Sequence, residues 1–117
     1  MAGNTNNKVE MLLIIQDKKN ALLQADIDLI KKLAKPDAPE AIINTQLAAN
    51  TIEEDLLKAK YSQIKNGSTF NFPSSSEIAA LAAAIEELET KVEQAAAVDA
   101  VISASSEVIA TVGANTM

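Results

Sequence analysis

The 117-residue chain contains no cysteine, histidine, arginine or tryptophan. It therefore lacks the atoms for disulfides, thiolate nucleophiles, Cys/His zinc sites, haem-ligating imidazoles and Ser-His-Asp triads. An arginine finger or a bidentate arginine clamp on phosphate is excluded on the same ground. Glycine and proline number three each, and aromatic residues are 3% of the chain although 48% of it is hydrophobic. Long apolar runs are missing too. The longest, residues 11–15 and 78–85, fall well short of the ~20 apolar residues that a bilayer span requires. The opening MAGNTNNKVEMLLIIQDKK has polar residues where a signal peptide needs positive charge, and its apolar patch is shorter than the usual ~7–15 residues. No Sec-type export is expected, and the expected location is cytoplasmic.

Basic charge is also in short supply. All ten bases are lysine, against 16 acids, for a net charge of −6. Residues 1–76 hold nine lysines and nine acids, so the whole imbalance lies in residues 77–117, where Lys91 faces seven acids. Nucleic-acid binding needs clustered cations to neutralise phosphate, and no such cluster is present. A one-sided acidic stretch is the solvated face of a helix, a face matched to a basic partner, or one that keeps like subunits in register.

What remains is helical punctuation and periodicity. The expected architecture is all-α, with three helices in a hairpin or elongated bundle and a long C-terminal helix packing in coiled-coil fashion. Residues 1–7 read as a disordered polar tail and 8–117 as a single helical domain. The first helix, about 8–35, has Leu22, Leu23, Ile27, Leu29, Ile30 and Leu33 at helical spacing, with residues 16–20 a polar interruption where a kink or break would fall. The second, about 38–65, starts from Asp37 as N-cap with Glu40 completing a capping box. Its core candidates are Ile42, Ile43, Leu47, Ile52, Leu56, Leu57, Tyr61 and Ile64. Asn66-Gly67 ends it through a left-handed glycine. Ser74 and Glu77 form a second capping box, opening a third helix, about 75–112, that Gly113 stops. At 1.5 Å per residue this last helix measures roughly 55–60 Å, too long for two shorter helices to cover within one globule.

Along that helix Ile78, Leu81, Ile85, Leu88, Val92 and Ala95 alternate three and four residues apart, the spacing of a coiled-coil seam. Ile102 and Ile109 continue the frame. A second stripe, Val98, Val101, Ser105, Val108 and Val112, reads as drift of the seam around the helix. The expected interface between helices or chains is Ile78, Leu81, Ile85, Leu88, Val92, Ile102 and Ile109, with Phe70 and Phe72 docking the preceding loop, since aromatic residues dominate interface energetics.

Chemistry is poorly provided for. The carboxylate groups Glu53-Glu54-Asp55 and Glu86-Glu87-Glu89 would need a buried member to serve as acid and base, and both are expected to face solvent opposite the apolar stripe. Asp26 and Asp28 lack the glycine and closing glutamate of an EF-hand loop, and without histidine no Glu-x-x-His di-iron ligand set exists. No catalytic residue, cofactor or metal is expected. Contact of residues 97–112 with a membrane surface is disfavoured, because a basic face and bulky aromatics are missing.

In make-up, Thr45-Gln46-Leu47-Ala48-Ala49-Asn50 and residues 98–117 are similar to segments of small R-body (refractile body) subunits, a resemblance spread over the last two-thirds of the chain. It implies polymerisation into a coiled ribbon able to extend, with a pH trigger. Lacking histidine, such a trigger would fall to carboxylates, with Glu86, Glu87, Glu89 and Glu93 the group to suspect. The expected function is thus a non-catalytic structural subunit assembling with itself or with related helical subunits. The alternative is a helical adaptor or chaperone-like module that binds one partner protein.

Overall fold

A computed structural model describes the backbone of residues 2–116 and the side chains of residues 7–115. Every regular element among them is helical: α1 (Ala2–Leu33), α2 (Glu40–Lys65), α3 (Ser75–Glu93), α4 (Val98–Ala110) and a closing 3-10 turn (Ala114–Thr116). Residues 2–7, expected to form a tail, are the first turns of α1, while Met1 lies outside the described residues. Residues 16–20 do not interrupt the helix.

The elongated third helix does not exist. It ends at Glu93 and the chain folds back as α4. Ala95 takes a left-handed φ of +52°. The Ala96 amide donates to the Lys91 carbonyl at 2.9 Å, and the Ala95 amide donates to Val92 at 3.1 Å. These two bonds form a Schellman cap, built on alanine where glycine is usual. The stripe through Val98, Val101, Ser105 and Val108 is therefore the buried face of a separate helix, and not the drift of a continuous seam. Two short helices hide their apolar faces on the rest of the chain, so no uncovered rod is left.

Other boundaries follow local chemistry. Ser74 Oγ accepts from the Glu77 amide at 3.2 Å while Glu77 Oε1 accepts from the Ser74 amide at 3.0 Å, so the capping box that opens α3 forms as expected. Gly67, at φ +99°, closes α2 with its own amide on Ile64 and the Ser68 amide on Gln63. Asp37 caps nothing. Pro39 stands at the N-cap of α2 without a side-chain bond, and Asp37 is an exposed turn residue.

In packing order, α1 touches all three other helices. α2 touches α1, α4 and the closing turn, and α3 touches α1 and α4; among the described residues α2 and α3 do not meet. The result is a slab of 56 × 23 × 17 Å. Its centre follows Met11, Ile15, Lys18, Leu22, Ala25 and Leu29 of α1, spaced four and three apart and almost fully buried. Leu81, Ala84 and Leu88 of α3 and Val101, Ala104 and Val108 of α4 are buried with them. No helix among the described residues is long and apolar enough to cross a membrane.

Candidate functional site: a charged interior and an aliphatic exterior

The inner face of α2 runs Ile43, Gln46, Asn50, Glu53, Glu54, Leu57 and Ile64. Its two ends are aliphatic and its middle is polar. Burying such groups is costly unless they are paired, and most of them are.

The first group centres on Lys18, which is 0% exposed. Its ammonium sits 3.0 Å from Glu53 Oε2 and donates to the carbonyls of Ile109, Thr111 and Val112 at 3.3, 3.2 and 2.8 Å. Glu53 Oε2 also accepts from the Ala114 amide at 2.9 Å. A cation at a helix C-terminus satisfies carbonyls that no amide can reach, so Lys18 caps α4 from the middle of α1. Burial pushes the Lys18 ammonium below its ordinary value, against the pull of Glu53. Val112, a β-branched residue at φ +50°, is held in a strained conformation with its carbonyl turned onto the lysine.

A second group forms a chain across three helices. Ser106 of α4 donates to Gln46 at 3.1 Å, Gln46 donates to Asn50 at 2.8 Å, and Asn50 donates to Asp26 Oδ1 of α1 at 2.9 Å. The Glu54 carboxyl, 9% exposed, meets Asp26 at the end of this chain. Burial, then contact with Asp26 and the charge of Asp55, push Glu54 up to about 8, with Lys19 pulling the other way. Glu54 Oε2 and the Ser105 hydroxyl are buried without a hydrogen-bond partner.

Outside, the pattern reverses. Val9, Leu13, Leu23, Ile27 and Ile30 on α1, and Ile42, Ile52 and Leu56 on α2, are 36–62% exposed. With Gln16 and Asn20, the α1 residues stand at 9, 13, 16, 20, 23, 27 and 30. That is a second seam of alternating fours and threes, pointing away from the first. α2 carries its own at Ile42, Thr45, Ala49, Ile52, Leu56, Ala59 and Gln63.

The expected interface residues lie elsewhere. Leu81 and Leu88 are buried in the chain itself, and Ile85, Val92, Ile102 and Ile109 pack half-buried against its core. Ile78 is half-buried beside Ile14 and Asp17. Phe70 packs on the core, and with the half-buried Phe72 it lines a shallow cavity next to Asn7. Glu86, Glu87, Glu89 and Glu93 are exposed. Of the other acidic cluster, only Asp55 faces solvent. Glu53 and Glu54 turn inward, contrary to expectation, because the face of α2 that packs inward is the one through Ile43, Leu57 and Ile64, on which these two glutamates fall.

Both polar groups had a signal in the sequence. A four-three frame started at Met11 places Lys18 in the seam, and a frame started at Ile43 places Gln46, Asn50 and Glu53 there. A frame started at Leu23 or Ile42 misses them.

An open cleft of about 430 Å³ lies between the α1–α2 turn and the α3–α4 turn, with Lys32, Lys35, Asp37, Ala95 and Val98 among its walls. Lys32 is paired with Asp28 on α1. Among the described residues no three acidic side chains are grouped to hold a metal ion. Compared with protein-family models, characterised proteins and solved structures, the chain has no significant match.

Proposed function

We propose that this protein is a non-catalytic subunit that assembles with copies of itself through the outer faces of α1 and α2. The observation that carries the reading is the outer seam of α1. Large aliphatic side chains repeat at coiled-coil spacing over three heptads of solvent-facing helix, and an aliphatic patch of this kind marks a contact surface. Gln16 and Asn20 are the seam's polar positions. Their amides both donate and accept, so they can pair with the same residues of another copy, and a polar residue in a seam fixes register. Glu10, Asp17, Lys19 and Lys31 flank the stripe with both signs of charge, which suits a like partner better than a strongly basic or acidic one. An R-body-like ribbon is the specific assembly favoured by the sequence resemblance.

Light scattering across a micromolar-to-millimolar concentration series tests the proposal. Growth in mass with concentration is expected, and Leu13→Lys with Ile27→Lys abolishes it. A strict monomer throughout defeats self-assembly. A stoichiometric complex with a different protein, lost in the same double variant, supports the adaptor reading instead, since one exposed seam serves either partner.

A further inference from the structure

We propose that the Asp26–Glu54 contact is a proton-held clasp between α1 and α2, closed while the two carboxyls share a proton and loosened when both are ionised. Geometry carries the assignment. Asp26 Oδ1 already accepts from Asn50, which is locked in turn through Gln46 to Ser106 of α4. Asp26 is thus built as the acceptor, and an ionised carboxylate can only accept. Glu54 reaches Asp26 from α2, and its Oε2 is buried and unpartnered. A carboxylate there would set two negative charges side by side out of water, whereas a carboxylic acid donates its proton to Asp26 and closes the chain.

The surroundings leave that proton as the neutralising agent. From α1, Asp26 and Lys19 act on Glu54, and from α2 itself Asp55 does. Lys19 is partly exposed and is outweighed. The buried cation, Lys18, is committed to Glu53 and to the carbonyls after α4. α4 reaches the chain through the Ser106 hydroxyl, which does not titrate in this range, and the closing turn presents the Ala114 amide to Glu53.

The sign follows from linkage. The folded carboxyl titrates at about 8 against an ordinary 4.5, so between those values the folded chain holds a proton that the unfolded chain has released. The clasp's contribution to stability is full below about 4.5 and falls as pH rises towards about 8, where its loss is complete, by up to tenfold in the folded-to-unfolded ratio per pH unit.

The full chain, denatured with urea at intervals from pH 5 to pH 9, should show its midpoint falling to about pH 8 and then levelling. Glu54→Gln, which keeps a donor without a charge, should flatten that fall and exceed the parent in stability at pH 8.5. Carbon-13 NMR of the unmodified chain reads the site directly. A glutamate carboxyl titrating near pH 8, assigned to Glu54 and moved down by Asp26→Asn, supports the clasp. Titration of Glu54 in the ordinary carboxylate range overturns it, as does a midpoint profile that Glu54→Gln leaves unchanged.

Discussion

The two halves of this molecule treat their surfaces differently. The α3–α4 half places Leu81, Ala84, Leu88, Val101 and Val108 inside and Glu86, Glu87, Glu89, Asp99 and Glu107 outside, as the hydrophobic effect alone would arrange them. The α1–α2 half carries every one of the large exposed aliphatic residues, while its interior holds Lys18, Glu53, Glu54, Asn50 and Gln46. One half is a lid of ordinary amphipathic helices. The other is apolar on two faces, with Met11, Ile15, Leu22, Leu29, Ile43, Leu57 and Ile64 buried, and it sets charges and amides among its buried aliphatic residues. Burial of charge is weak evidence for stability and better evidence for specificity, because an ion pair accepts one alignment and an aliphatic contact accepts many.

Substitutions can break or sharpen this contrast. The largest effect is expected at Lys18→Met, which strands Glu53 and three carbonyls in the interior and should cost about 3–5 kcal/mol, read as a fall in the urea midpoint by circular dichroism. Leu88→Ala in the conventional half should cost about 2–5 kcal/mol through an empty cavity. If Lys18→Met is the milder of the two, the polar interior is incidental to stability and the contrast weakens. Ala95→Gly relieves a left-handed alanine and should raise stability by about 1 kcal/mol, visible in thermal unfolding. Smallest is Leu13→Lys with Ile27→Lys, each expected to shift the stability of the isolated chain by less than about 0.5 kcal/mol. A large destabilisation by that pair would mean that the outer seam serves the fold and not a partner.

How much of this was legible depended on which signal dominated locally. Helical class, the capping box at Ser74 and Glu77, and the stop at Gly67 rest on nearest-neighbour chemistry, and each was readable. The break at Ala95 was not, because an alanine in a left-handed cap differs from its helical neighbours only through the tertiary contacts that hold it there. Periodicity supplied a clue at that point, since the stripe shifts at Val98, but a shift of frame looks the same whether a helix supercoils or ends. The polar interior was obscured for another reason. Val9–Leu13–Leu23–Ile27 is as good an apolar stripe as Met11–Ile15–Leu22–Leu29, and hydrophobicity cannot choose between two faces of one helix. The choice falls to Lys18 and Asp26, whose partners lie on α2, on α4 and just beyond it, up to 94 residues away in the chain.

That separation has a consequence for biosynthesis. The carbonyls of Ile109, Thr111 and Val112 and the amide of Ala114 complete the surroundings of the Lys18–Glu53 pair, so a nascent chain that has exposed α1 and α2 can join the two charges but leaves their remaining hydrogen bonds to water. Full drying of that part of the interior therefore waits for residues 109–114, the last partners to be synthesised.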